Sequence, residues 1–199
     1  MPSMSDTTRL IIVAVGGQGN LLASSVLGEA ALMSGIPFRM SEIHGMAQRG
    51  GVVESAMVFG NAQSNLISDG EADVLVGFEP LETLRAMNKC NPNTVVITNV
   101  TPLPPFTVAI GKGVYPPIET ILELIRGKVN TLISLDATAM AREAGNILAV
   151  NMVLLGALAQ SGTLPLNAEA IRKAIGAKTK PAFLDANLKA FDLGVRAAT

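Results

Sequence analysis

The residues able to do chemistry fall in three places along the chain. The first is Glu42-Ile-His-Gly-Met-Ala-Gln-Arg-Gly-Gly51, which carries the only histidine, His44, and sets Arg49 directly before Gly50 and Gly51. An imidazole exchanges a proton near neutral pH, and a guanidinium fork takes a carboxylate or phosphate through two hydrogen bonds at once. The second is Gly16-Gly17-Gln18-Gly19, directly after the apolar run Leu10-Ile-Ile-Val-Ala-Val15. Glycines there permit positive φ and a close approach of backbone to a ligand, and a helix that follows turns free N–H groups and its positive dipole end toward an anion. The third is a set of polar residues at the ends of apolar runs, Glu79, Asn99 and Asp136, with Asn151 inside an otherwise apolar helix. Ligands of parallel sheets gather at the C-terminal ends of strands, so these residues are candidates to rim a crevice.

Each group also has a purely structural account. His44 has no partner constellation, and a hydrogen-bonded structural histidine explains it without catalysis. Arg49 could tie its loop to Glu42 or Glu54 by a salt bridge, and Gly50-Gly51 could form a turn or bulge. The glycine loop does not satisfy the dinucleotide pattern G-x-G-x-x-G, because with Gly17 and Gly19 as the first pair the third position is Leu22. Glu42 lies at about the spacing of a ribose ligand in that pattern, yet small residues in the loop could serve only to pack a helix closely on a sheet. Glu79, Asn99 and Asp136 are ordinary capping types, and capping is the simpler account of Asp136. A buried amide such as Asn151 needs partners, either in a nearby loop or in a site or interface.

The inventory excludes other chemistries. One cysteine, Cys90, and one histidine leave no internal disulfide, no cysteine-based zinc site and no iron–sulfur cluster held by this chain alone. No G-x-S-x-G elbow is present. With Lys+Arg 15 against Asp+Glu 16 and no basic run, a nucleic-acid footprint is missing. The N-terminus lacks the basic and apolar regions of a signal peptide. The most apolar later run, Ile147 to Ala159, is interrupted by Asn151 and shorter than the roughly 18–20 residues of a membrane span. A cytoplasmic protein without a membrane contact is expected.

The elements that must position these residues alternate. Apolar runs at Leu10–Val15, Pro37–Ile43, Val52–Phe59, Val74–Phe78, Thr94–Thr98 and Thr131–Asp136 predict strands. The spacing of Leu22, Val26, Ala30 and Met33 predicts a helix over Gln18–Ser34 that stops at Gly35. Further helices are predicted at Pro80–Lys89, Ile118–Lys128, Ala137–Glu143 and Ile147–Gln160, and from Asn167 onward except around Lys180-Pro181. Thr101-Pro-Leu-Pro-Pro105 breaks regular structure. Continuous apolar strands are buried on both faces, so the expectation is a single three-layer α/β/α domain over residues 9–199, Rossmann-like, with a mostly parallel sheet. Residues 1–8, polar and terminal, are expected to be disordered. The chain is 49% hydrophobic and 16% charged, short of the roughly 25% charged residues of average domains, which predicts a large core and an apolar surface facing a partner.

Four segments in order, Gly16-Gly-Gln-Gly19, Gly45-Met-Ala-Gln-Arg-Gly-Gly51, Ala72-Asp-Val-Leu-Val76 and Asn151-Met-Val-Leu-Leu-Gly156, resemble the gamma-type domain of the pyruvate/2-ketoisovalerate ferredoxin oxidoreductase family. The His44-Gly-Met-Ala-Gln-Arg-Gly-Gly version resembles the indolepyruvate-type beta subunits, where pyruvate-type relatives carry a Tyr-Gly-Pro-Glu-like sequence. The resemblance spans about residues 9 to 195, with one departure at Ala14, where relatives often have glycine. It implies an accessory subunit of a complex that decarboxylates a 2-oxoacid on thiamine diphosphate and passes electrons through iron–sulfur clusters to ferredoxin. An acyl-CoA is the other product. Thiamine and clusters would belong to a larger partner subunit, and this chain, inactive alone, would help position coenzyme A. The residues and the resemblance together leave Gly16, Gly17, Gln18, Gly19, His44, Arg49, Gly50, Gly51, Glu79 and Asn151 as the candidate contacts to cosubstrate or partner, with no metal ligand and no certain catalytic residue among them. A stand-alone nucleotide- or anion-binding module using the Gly16–Gly19 loop is the rival expectation.

Overall fold

In the computed structural model, which describes residues 7–44, 51–104, 108, 111 and 113–199, six strands form one sheet. They are β1 (Thr8–Val15), β2 (Phe38–His44), β3 (Val52–Phe59), β4 (Ala72–Gly77), β5 (Cys90–Asn99) and β6 (Thr131–Leu135), in the order β2-β3-β1-β4-β5-β6. The β1–β4, β4–β5 and β5–β6 pairs are parallel, while β3 runs antiparallel to both β1 and β2. Five strands therefore point one way and β3 alone points back. The expected mostly parallel sheet is present, with β1 beginning at Thr8, two residues ahead of its apolar run.

The side chains of β1 show why both faces are covered. Leu10, Ile12 and Ala14 enter one core, and Ile11 and Val13 enter the other, none of them more than 1% exposed. Period-two alternation with no polar partner leaves a strand no solvent face. Helices α1 (Asn20–Met33), α4 (Ala137–Glu143), α5 (Val150–Gln160), α6 (Ala168–Lys178) and α7 (Pro181–Ala197) supply the first core. On the opposite face lie α2 (Pro80–Arg85), continued by a 3-10 turn over Ala86–Lys89, and α3 (Ile118–Arg126).

Two details depart from the predicted pattern. Met33 is half exposed, and the buried surface of α1 is broader than one stripe, taking in Ala23, Val26, Leu27, Ala30 and Ala31. The helix is packed between the sheet and α6, so two of its sides are covered. The Ile147–Gln160 helix begins as a 3-10 turn over Ile147–Ala149 before α5 proper. Residues 151–158 of α5 are all buried, as expected of a central helix with apolar residues all round. Its closest neighbour is α7, where glycines permit backbone contact. A Cβ at Gly156 would stand 2.1 Å from the Phe191 carbonyl oxygen, and one at Gly194 would stand 1.9 Å from that of Val153. This locked pair fixes α5, and with it the position of Asn151. Among the described residues, no helix is long and apolar enough to cross a membrane.

Candidate functional site

The glycine loop is built by its own side chain. Gln18 Oε1 accepts from Val15 N at 2.8 Å and Gln18 Nε2 donates to the Phe78 carbonyl at 3.2 Å, so the glutamine bridges the ends of β1 and β4. The Gly16 N–H donates to the Gly51 carbonyl at 2.8 Å, which brings the end of the Glu42–Gly51 segment onto the loop. Gly17 and Gly19 have φ of 101° and 84°, the left-handed region that a side chain resists. Gly19 is the N-cap of α1 and offers no side chain, so the first N–H groups of the helix have no intrahelical partner and carry its positive end.

Asn151 closes the loop from the other side. It is 2% exposed, its Nδ2 donates to the Gly19 carbonyl at 3.2 Å, and its Oδ1 accepts from Met152 N at 3.0 Å. A Cβ on Gly19 would stand 2.7 Å from Asn151 Nδ2. Of the two roles sequence left open for this amide, the loop contact is formed. Asn99, 2% exposed at the end of β5, pins the next segment. Its Nδ2 donates to the carbonyls of Phe78 and Thr101 and to Thr138 Oγ1, while its Oδ1 accepts from the N–H groups of Thr101 and Ala137.

Between these anchors opens a cleft of about 640 Å³ at the C-terminal edge of the sheet, on the five-helix face. Gly16, Gly17, Gln18, Gly19, Asn99 and Asn151 form its polar side. Leu22, Pro102, Leu103, Ile147, Leu148 and Val150 form an apolar side, with Thr101 and Thr138 between. Among the described residues that line it, none is charged and none is a histidine or cysteine. A second basin of about 340 Å³ shares Leu22, Leu148 and Asn151 with the first and adds Lys178, Lys180, Phe183 and Asn187. Lys178 pairs with Glu29 at 2.9 Å, and no salt bridge to Lys180 occurs among the described residues. The arrangement offers backbone N–H groups, amides and an apolar wall at one end and ammonium groups at the other. It can hold an elongated anionic molecule, and the described lining carries no group placed to move a proton.

Several expected contacts lie elsewhere. Glu79 does not reach the cleft. It is 1% exposed, and its Oε2 accepts from Glu82 N at 2.9 Å as the N-cap of α2, on the opposite face of the sheet. The physical reason is in its sequence neighbourhood, since Pro80 begins a helix whose first turn needs a side-chain acceptor. Asp136 is likewise a cap, its Oδ1 accepting from Ala139 N at 2.9 Å and from Thr101 Oγ1 at 2.8 Å. Glu42 is held by Ser24 Oγ at 3.0 Å, and β3 separates its strand from β1, so the ribose position of a dinucleotide fold is not formed. His44 ends β2, but its side chain, with Arg49 and Gly50, lies outside the described residues. The Cys90 thiol is pushed up to about 11, chiefly by burial, which leaves it protonated and unreactive at neutral pH. Lining residues the sequence did not put forward as site candidates are Val150, Leu22, Thr101, Pro102, Leu103, Thr138, Ile147 and Leu148. The signal for the last two was available in a pair of large apolar residues just ahead of a buried helix, and they are 49% and 73% exposed.

A mostly parallel, doubly covered sheet with a glycine turn after its first strand and a cleft at its C-terminal edge is the architecture in which α/β proteins gather ligands at strand ends. Comparison with known proteins makes the class specific. The family model of pyruvate ferredoxin/flavodoxin oxidoreductase matches residues 9–197, and the chain belongs to that family. It is 42% identical over 191 residues to the indolepyruvate oxidoreductase subunit IorB of Pyrococcus horikoshii, covering 95% of each chain. In fold it is similar to the keto/oxoacid ferredoxin oxidoreductase gamma subunit of Geobacter sulfurreducens, with a TM-score of 0.70 and 22% identity over 96% of this chain and 98% of that one. The same score, at 18% identity, relates it to the 2-oxoglutarate:ferredoxin oxidoreductase of Magnetococcus marinus, a structure with 2-oxoglutarate, coenzyme A and succinyl-CoA bound; 96% of this chain matches 31% of that one.

Proposed function

We propose that the chain is the accessory, cosubstrate-facing subunit of an indolepyruvate-type 2-oxoacid:ferredoxin oxidoreductase, and that its cleft takes coenzyme A. The overall reaction is oxidative decarboxylation, in which the oxoacid loses carbon dioxide, its acyl group passes to the thiol of coenzyme A, and two electrons go to ferredoxin. On this reading, thiamine diphosphate and iron–sulfur clusters sit on a larger partner subunit and supply the carbanion and redox chemistry there. The residue inventory of this chain fits that division, since a single, partly buried cysteine is no ligand set for a cluster. No group of three metal-ligating side chains gathers among the described residues.

The observation that carries the proposal is the two-basin cleft without a titratable group in its first basin. Helix N–H groups and the lysines of the second basin suit phosphate oxygens, and the apolar wall suits a thin aliphatic arm; a first basin lined, among the described residues, by amides and apolar groups supports a binding role for this chain. Arg49, whose segment joins the loop through Gly51, is the candidate cationic contact of the assembled complex, and His44 marks the arylpyruvate-type variant.

Two measurements test the proposal. The purified chain is expected to show no oxoacid-dependent dye reduction, with activity appearing on adding the partner subunit; turnover by the chain alone sinks the accessory role. In the assembled complex, Leu148→Asp puts a carboxylate on the wall shared by both basins, at a position exposed enough to leave folding intact. The KM for coenzyme A is expected to rise about tenfold, the effect of roughly 1.4 kcal/mol of like-charge repulsion, with the oxoacid KM unchanged. No change would remove coenzyme A from the cleft.

A further inference from the structure

We propose that Glu79 is a positioning residue for the cleft, a buried carboxylate that fixes the Thr101–Leu103 wall by holding Leu103 and Tyr115 on one oxygen. The inference rests on the cleft reading above. Glu79 Oε1 accepts from Leu103 N at 3.3 Å and from the Tyr115 hydroxyl at 2.5 Å. Pro102 has no N–H, so the donors that can anchor this wall through the backbone are those of Thr101 and Leu103. Asn99 takes the first and Glu79 the second. Pro102 and Leu103 are themselves lining residues of the cleft.

The carboxylate is held from behind as firmly as it holds the wall. Thr83 N and Thr83 Oγ1 both donate to the Glu79 backbone carbonyl, and Thr83 Oγ1 lies 2.8 Å from Thr98 Oγ1 on β5. A Cβ on Gly77 would stand 1.6 Å from Thr83 Oγ1, so the end of β4 is shaped around that threonine. Capping alone does not account for this arrangement. α2 is six residues long, and the shorter side chains of aspartate or serine cap a helix as well as any. The extra methylene of glutamate serves the second oxygen, which accepts from Leu103 N and the Tyr115 hydroxyl. Tyr115 is the only tyrosine of the chain. Its hydroxyl stays a donor at every working pH, because burial and the Glu79 carboxylate push its pKa far up.

Capping and positioning separate in two variants. Glu79→Asp keeps a charged cap for α2 but is too short to reach Leu103 and Tyr115 as well. Tyr115→Phe removes one hydroxyl and leaves the ring packed. Hydrogen exchange in the isolated full chain is expected to show the Leu103 amide exchanging about fivefold faster in Tyr115→Phe, the size of one lost hydrogen bond, and faster still in Glu79→Asp. In the complex with the partner subunit, the KM for coenzyme A rises by about the same factor in Tyr115→Phe while kcat stays within about twofold. Unchanged Leu103 exchange in both variants overturns the clamp. Faster exchange with an unchanged KM overturns its positioning role. A KM that responds to Leu148→Asp and not to either variant leaves coenzyme A in the cleft and removes Glu79 from its support.

Discussion

Two loops lie side by side at the C-terminal edge of the sheet, after the paired strands β1 and β4, and they end in opposite states. The loop after β1 is open. Gly17 has no heavy atom within 4 Å of where a Cβ would stand, Gly19 meets only the Asn151 side chain, and the loop forms the floor of the cleft. The loop after β4 is closed, with Gly77 against Thr83 and with Phe78 and Glu79 buried. The two are tied together by Gln18 Nε2 on the Phe78 carbonyl and by Phe78 N on the Val13 carbonyl. What separates them is the face on which the next helix packs. α1 leaves on the five-helix face, where the start of α5 stands off to make the cleft, and α2 leaves on the other face and takes the Glu79 carboxylate with it. A strand end in a parallel sheet becomes a site only on the side its helix leaves open.

The same substitution in each loop measures that difference. Gly77→Ala is expected to have the largest effect, about 3 kcal/mol of destabilisation in chemical denaturation, because the added methyl overlaps a fully buried threonine in a packed core. A loss below about 1 kcal/mol would show that the closed loop has room the structure does not show. Gly19→Ala is expected to destabilise by about 1–2 kcal/mol, from strain at φ 84° and displacement of Asn151, and to raise the coenzyme A KM of the complex. Gly17→Ala meets nothing, so only its φ of 101° resists the change, at about 1 kcal/mol. Should the two loop glycines prove as sensitive as Gly77, the open and closed loops would not differ in packing.

Much of this was legible in the residues. The buried strands β1 and β4 announce themselves as unbroken apolar runs, and the glycine loop follows from its place between strand and helix. The reversed direction of β3 escapes hydropathy, which reports burial and not polarity. Its trace was the short link from His44 to Val52, since a parallel crossover needs about a dozen residues or more. The direction of Glu79 was open for a similar reason, because a residue at a strand end can turn to either face. Pro80 followed by a helix was the sign that it would cap. Asn151 was readable as a buried amide in need of partners, but not the identity of Gly19 as one of them, 132 residues away. That contact depends on how α5 is packed, with Gly156 and Gly194 allowing α5 and α7 to meet backbone to backbone, a fact of packing with no local pattern.

The smallest effect distinguishes the loops by charge. The lining of the open loop holds no ionisable group among the described residues, whereas the helix that the closed loop starts buries Glu82 beside Glu79. Glu82 is 4% exposed, with Oε1 on Arg85 at 2.6 Å and Oε2 without a partner among the described residues. Burial pushes its carboxyl above the ordinary value of 4.5 and the Glu79 charge adds to this, while Arg85 pulls it only partly back. Folded protein therefore keeps the Glu82 proton to higher pH than the unfolded chain does. The contribution is fully present below the unfolded pKa and is lost as pH rises through the folded one. Glu82→Gln removes that slope and gives up only an ion pair whose arginine side is 55% exposed, a small loss in water. The Tm of Glu82→Gln relative to the parent is thus expected to climb from pH 4 to pH 7, and Gly17→Ala, changing no charge, should show a constant offset over the same range. A Glu82→Gln offset equally flat would mean that the Glu82 carboxylate is solvated in the folded chain, and the loop after β4 would then be less closed than its packing implies.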